Sequence, residues 1–220
     1  MSTDRRCTAT GNAKAVAHVG PGDLPADLAV AYGRARRIAW DVETTGLDWR
    51  RDRLATCQVF AVDIGASVIS VSGEKPPRLM ALLENPAVEK VFHHAPFDLR
   101  FMVHAWDAWP TSIRCTKVAS KLLQPNAASE AHTLQHLAQR YLGVRLEKGP
   151  VRTGDWSAPE LTPEQIAYAT SDVVHLLALL DALQPPLRTA GLGKLYNDCC
   201  AFLPAHVRLE TGGYPDVFAY

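Results

Sequence analysis

Residues 38–47 read IAWDVETTGL, and this stretch decides the fold. The apolar run from Ile38 to Val42 predicts a buried strand that ends at Thr44-Thr45-Gly46. Asp41 and Glu43 are two positions apart, so a strand places both carboxylates on one face. Two like charges there are costly unless a cation neutralises them, as a divalent ion with oxygen ligands does. The stretch therefore predicts a metal site, although an Asp-x-Glu pair alone arises by chance about once in a chain of this length.

The regions around this strand predict an α/β domain. Further strand patterns occupy 54–62 and 68–71, and from residue 76 onward helix and strand patterns alternate. This order indicates a mixed central sheet with its chemistry at the strand ends. The other predicted elements are helix 77–83, strand 90–93, helix 97–105, strand 113–115, helices 116–123 and 133–141, helix 162–183 ended by two prolines, and helix 187–202.

The 220 residues suit one large domain or two very small ones. A cluster of glycine and proline at 20–25 breaks regular structure, so we expect an N-terminal lead-in over 1–34. We expect the main domain over 35–184. Residues 185–220 are expected to form a C-terminal helix and tail that pack on the domain or on a partner subunit.

Composition limits the location and the partners. The formal net charge is zero, whereas proteins that bind long nucleic acids usually carry a basic surface. If this protein binds nucleic acid, the charge favours short substrates over long ones. The sequence shows no secretory signal and no run of 18 uncharged apolar residues, so we expect no membrane association. Five cysteines without a CxxC pair favour a reducing cytoplasm over disulfides or a zinc site.

Three further residues are candidate partners of the first two acids. Asp98 follows a short predicted strand, where it is either a site carboxylate or a helix N-cap. Tyr168 and Asp172 are four apart in a predicted helix, so they share one face. Alone, that pair is equally explained by a tyrosine hydroxyl satisfied by a carboxylate.

Taken together, these residues resemble the motifs of the DEDD superfamily of 3′→5′ exonucleases, in its tyrosine branch. The three matching segments are Asp41–Leu47, Phe97–Leu99 and Tyr168–Val173. The sequence from Leu161 to Tyr168 is similar to ribonuclease D-like proteins, and the segment from Cys115 to Leu122 to the compact nanoRNase C type. The resemblance implies an RNase H-like mixed sheet flanked by helices, and an exonuclease domain over 35–184.

The resemblance also implies a two-metal mechanism with Mg²⁺ or Mn²⁺. Asp41 bridges both ions, Glu43 and Asp172 hold the ion that carries the attacking water, and Asp98 holds the second ion. Tyr168 orients that water. Magnesium or manganese suits a site built only from oxygen ligands.

Six residues are weaker candidates for substrate contact. By resemblance, Thr44 and Leu47 lie beside the scissile end, although core packing is equally open for Leu47. Gln58 occupies a position near the substrate in the family, or is structural. Three more candidates contact phosphate or are ordinary packing and surface positions: His93, His94 and Lys117.

The expected substrates are single-stranded or short oligonucleotides, RNA and possibly DNA. Only about 35 residues follow the domain, so we expect the helical RNA-binding modules of ribonuclease D to be absent. An apolar, aromatic C-terminal segment favours a homo-oligomer whose interface closes one end of the cleft, or else a tail that caps its own core. The alternatives are a general RNA-trimming or DNA 3′→5′ exonuclease, an inactive nucleic-acid-binding relic, and an assembly protein.

Overall fold

A computed structural model describes residues 16–71, 73–146, 154–158, 160–214 and 216–219. The first 15 residues of the expected lead-in therefore lie outside the described residues.

The centre of the molecule is a six-stranded mixed sheet in the order β1-β4-β3-β2-β5-β6. β2 pairs antiparallel with β3 and parallel with β5, so it is the central strand. β3 and β4 form an antiparallel pair. The two outer strands are parallel to their neighbours: β1 pairs with β4, and β6 pairs with β5. The strands are β1 Val16–Pro21, β2 Arg37–Thr44, β3 Leu54–Ala61, β4 Gly65–Ser70, β5 Glu89–Phe92 and β6 Ile113–Cys115.

Helices cover both faces of this sheet. Alternate side chains of β2 divide between two cores: Ile38 and Trp40 pack on the side of α1, α2 and α3, and Ala39 packs on the side of α6 and α7. The helices are α1 Ala26–Arg34, α2 Pro77–Glu84, α3 Ala95–Trp106, α4 Thr116–Leu123, α5 Leu134–Leu142, α6 Pro163–Val174, α7 Leu176–Thr189 and α8 Gly193–Thr211, with a 3₁₀ turn at Ser129–His132. The predicted mixed sheet flanked by helices is confirmed.

Two predicted helices differ from the structure. The predicted helix 162–183 is two helices that meet at His175, and the second continues through Pro185 and Pro186 to Thr189. Each proline removes one helical hydrogen bond, but the buried Leu183 and Leu187 keep that turn packed on the core. The last helix begins at Gly193 rather than at 187.

The described part of the expected lead-in is structured. β1 forms an edge of the sheet, and α1 packs Tyr32 into the core with its hydroxyl 3.0 Å from Ser67 Oγ. The glycine and proline cluster marks the end of β1 rather than the end of a tail. A short edge strand carries little apolar periodicity, so the sequence did not indicate β1.

By length and composition alone, the helical stretch Pro163–Thr189 is apolar enough to cross a membrane, with a mean hydropathy of 1.4. In this protein its leucines Leu176, Leu179, Leu180 and Leu183 are fully buried against the sheet and the neighbouring helices. A core helix has the same composition, so this finding is weak evidence for a span.

Candidate active site

Three carboxylates from two elements, β2 and α6, converge on one face of the sheet. Ligand oxygens of Asp41, Glu43 and Asp172 all lie within 4.8 Å of one another. The first two project from the same face of β2, and α6 crosses that face in contact with β2, β3 and β4. The three side chains are partly buried, and their arrangement suits a bound cation.

A capping box sets the position of α6 over the sheet. The Thr162 hydroxyl accepts from the backbone N–H of Gln165, and the Gln165 side chain accepts from the backbone N–H of Thr162. The Gln165 amide also donates to the carbonyl of Asp155 at 3.0 Å, which ties the preceding loop to the helix. This start places Tyr168 and Asp172 on the turns that face β2.

Asp98 is the fourth acid, and it is almost completely buried in the first turn of α3. The N-cap of this helix is His94, so the capping alternative for Asp98 is wrong. Burial raises the pKa of Asp98 to about 8, against the effect of backbone hydrogen bonds that include Val42. Asp98 also lies close enough to Asp41 to raise the pKa of that carboxyl.

The electrostatics of the four acids favour a divalent ion. The pKa of Asp41 is raised well above its ordinary value, first by burial and then by the charges of Asp98, Asp172 and Glu43. These carboxylates repel one another in a partly desolvated place, and a cation bound between them removes that repulsion. The donor set is all oxygen, which fits magnesium or manganese better than zinc.

Tyr168 reaches the same site from α6. Its hydroxyl hydrogen-bonds Asp172, and its ring lies 6.0 Å from the ring of Trp156. Burial, followed by the charges of Asp172, Glu43 and Asp41, raises the pKa of Tyr168 above its ordinary value of 10.0. The hydroxyl therefore stays protonated at neutral pH and can orient a water by hydrogen bonding.

The loop after β2 presents Leu47 to solvent. The side chain of Leu47 is 84% exposed, so the core-packing alternative is wrong. The Thr44 hydroxyl donates to the carbonyl of Gly46 at 2.5 Å, and the Asp52 carboxylate accepts from the backbone N–H of Asp48 at 2.8 Å. These bonds hold a compact loop with an exposed leucine beside the carboxylates.

A group of basic side chains lies beside the start of α3. Partial burial and then the charges of Lys117, Arg100 and Lys121 lower the pKa of His94 to about 4. Two of the predicted substrate residues, His94 and Lys117, are therefore neighbours in a positive field. Sequence reasoning did not connect Arg100 to this group, because its position depends on helix packing.

Two predicted substrate contacts are corrected by the structure. Gln58 is completely buried, lies opposite Asp41 on β3 and donates to Thr56, so substrate cannot reach it. Both ring nitrogens of His93 have partners inside the protein, Thr116 Oγ1 at 2.9 Å and the carbonyl of His132 at 3.0 Å.

The sequence model of the 3'-5' exonuclease family matches residues 18–188. Ribonuclease D of Zymomonas mobilis is 35% identical over 112 residues, which is 51% of this chain and 28% of that protein. The chain covers only 28% to 31% of the length of this and the next two ribonuclease D relatives.

Solved structures extend the likeness over nearly the whole chain. NrnC of Brucella melitensis has 34% identity and a TM-score of 0.83, and the match covers 92% of this chain and 98% of that one. The match to ribonuclease D of Escherichia coli has 22% identity and a TM-score of 0.72. It covers 83% of this chain and 48% of the ribonuclease D chain, and it shows a shared fold. The family model and NrnC both span most of the chain, and the fold is the RNase H-like fold of DEDD nucleases. The chain therefore belongs to the 3'-5' exonuclease family.

Proposed function

We propose that this protein is a metal-dependent 3′→5′ exonuclease that removes nucleoside 5′-monophosphates from short single-stranded oligonucleotides. The observation that carries the proposal is the convergence of Asp41, Glu43 and Asp172 within 4.8 Å, with the hydroxyl of Tyr168 bonded to Asp172. Buried Asp98 completes the set at the start of α3.

The four acids would hold two divalent ions, Mg²⁺ or Mn²⁺. Glu43 and Asp172 would hold one ion, Asp98 would hold the other, and Asp41 would contact both. Such ions would supply an activated water and stabilise the charge on the leaving oxygen. Tyr168 would orient the attacking water through its hydroxyl, and the exposed Leu47 would meet the terminal base.

Short oligonucleotides are the favoured substrate class. The zero formal charge offers few contacts for a long phosphate chain. NrnC of Brucella melitensis, at 33% identity, has been solved with bound Mg²⁺ and in complex with pGG. The proposal includes both RNA and DNA as substrates.

A homo-oligomer is part of this proposal. Phe202 of α8 is exposed and packs edge-on against exposed Phe218 at 5.8 Å between ring centroids, and Leu195 is exposed nearer the start of the same helix. A second copy of the chain that covers these apolar side chains removes them from water.

A length series tests the substrate class. We would measure kcat/KM for RNA and DNA of two, four, seven and twenty nucleotides in Mg²⁺ and in Mn²⁺. A dinucleotide or tetranucleotide cleaved at least tenfold more efficiently than the twenty-mer supports the proposal. Equal or better cleavage of the twenty-mer contradicts the short-substrate assignment and favours a general trimming exonuclease. Wild type without turnover on any length contradicts the exonuclease assignment itself.

A further inference from the structure

A basic groove opens beside the candidate active site. It has a volume of about 580 Å³ and lies between the β2–β3 loop, the end of β4, the end of α3 and residues 156–158. We call it the arginine groove and define it by Trp49, Arg50, Arg51, Arg53, Lys75 and Trp156. None of these side chains has a role in the metal site described above.

The groove adjoins the candidate active site. Thr45, which lines it, directly follows Thr44 of the candidate active site. Trp156 lines the groove and also packs against Tyr168. The groove therefore lies next to the residues that are expected to hold the 3′ end of a strand.

The lining has the chemistry of a single-strand binding surface. Four cationic side chains line it against two acidic ones, Asp52 and Glu74. Four cations against two carboxylates leave the lining positive, and the Asp52 carboxylate accepts from the backbone N–H of Asp48. The Arg50 guanidinium lies 4.1 Å from the centre of the partly buried Trp49 ring, and Trp156 is buried. Exposed arginine and lysine side chains bind phosphates without regard to sequence.

We infer that the arginine groove binds the nucleotides that lie upstream of the last two at the 3′ end of a single-stranded oligonucleotide. This inference rests on the proposed exonuclease function and deepens it. A groove of this volume has the size of a site for a small organic ligand, so it holds one or two nucleotides. The gain in binding should then stop at about four nucleotides, so longer strands gain no further contacts from the groove.

A charge-reversal variant tests the groove, with a control of the same charge change elsewhere. The test variant is Arg51→Glu with Arg53→Glu and Lys75→Glu, all exposed positions. The control is Arg34→Glu with Arg36→Glu and Arg188→Glu, also exposed and outside the groove lining.

We expect the test variant to lose at least tenfold in kcat/KM on a tetranucleotide and less than twofold on a dinucleotide. Its salt dependence on the tetranucleotide should weaken by about 0.7 in the slope of log KM against log salt for each phosphate that the variant no longer neutralises. The control variant should stay within twofold of wild type on both substrates. Equal losses on both lengths, or the same loss in the control, would overturn the inference.

A cross-linking measurement separates failure of the groove from failure of the proposed function, because it needs no turnover. A tetranucleotide with 4-thiouridine at its 5′ end is irradiated with the Asp41→Asn variant, and the labelled peptide is identified. A cross-link to the peptide that contains Trp49 or Trp156 supports the groove. A cross-link confined to other peptides, or its survival in the charge-reversed variant, would refute it.

Discussion

Metal binding by this protein should release protons, because the acids of the site are partly protonated without metal. Burial raises the pKa of Asp98 to about 8, so at pH 7 this carboxyl is about nine-tenths protonated. Asp41 is shifted in the same direction by burial and by its acidic neighbours. A divalent ion binds only the carboxylate form, and binding at pH 7 must therefore displace about one proton from the site.

The sign and size of the pH dependence follow from this shift. Because the raised pKa holds a proton that metal must displace, affinity should increase with pH up to about 8 and then level off. One displaced proton corresponds to about tenfold tighter binding for each pH unit. We therefore expect the dissociation constant for Mg²⁺ to fall on the order of 30-fold to 100-fold between pH 6 and pH 8.

Isothermal calorimetry in two buffers of different ionisation enthalpy measures the number of protons released. Wild type should release about one proton at pH 7, and Asp98→Asn should release fewer, because that variant carries no proton there. Asp63→Asn, in the turn between β3 and β4, is the matched control and should behave as wild type. An affinity that does not change with pH, or an Asp98→Asn variant that releases as many protons as wild type, would refute the reasoning.

Three further predictions address other features. Tyr168→Phe keeps the ring packed against Trp156 but loses the hydroxyl, so kcat should fall on the order of 10²-fold while Tm barely changes. A lower Tm with unchanged kcat would assign Tyr168 a structural role only. In Gly46→Ala the new Cβ would lie 2.3 Å from the Asp52 carboxylate, so activity should fall. Adding Asp52→Ala should recover part of the lost activity, whereas a fully active Gly46→Ala variant would contradict the tight loop. Burial lowers the pKa of Lys90 from 10.5 to about 8. Between pH 8 and pH 10.5 the native protein therefore binds fewer protons than the unfolded chain, and the contribution of Lys90 to the free energy of unfolding rises with pH. Relative to Lys90→Met in urea titrations, wild type should gain about 3 kcal/mol of unfolding free energy from pH 7 to pH 11, and a constant difference would count against this burial effect.

The central strand and its acids were predictable because strand periodicity is simple. The two-residue spacing of Asp41 and Glu43 determines their common face, and the four-residue spacing of Tyr168 and Asp172 does the same on α6. The capping box at Thr162 was equally visible and is present. These local rules need no knowledge of the rest of the chain.

Burial and side-chain partners were not predictable in the same way. A carboxylate in the first turn of a helix is either a cap or a ligand, and only the buried position of Asp98 decides between them. His93 lies next to the second motif in sequence, yet the partners of its ring nitrogens, Thr116 and His132, are residues that the fold brings to it. The end of α6 at His175 has no sequence marker, because helical preferences continue across it.

The central claim is that this protein removes nucleotides from the 3′ end of an oligonucleotide in a reaction that needs Asp41 and its neighbouring acids. The most direct measurement uses one short RNA labelled either at its 3′ or at its 5′ terminus, with Mg²⁺, wild type, Asp41→Asn and the control Asp63→Asn. We predict that wild type and the control release a labelled nucleoside 5′-monophosphate from the 3′-labelled RNA in the first turnover, and that Asp41→Asn is slower by at least two orders of magnitude. A labelled mononucleotide released first from the 5′ terminus, internal fragments, or Asp41→Asn activity within tenfold of wild type would contradict the account.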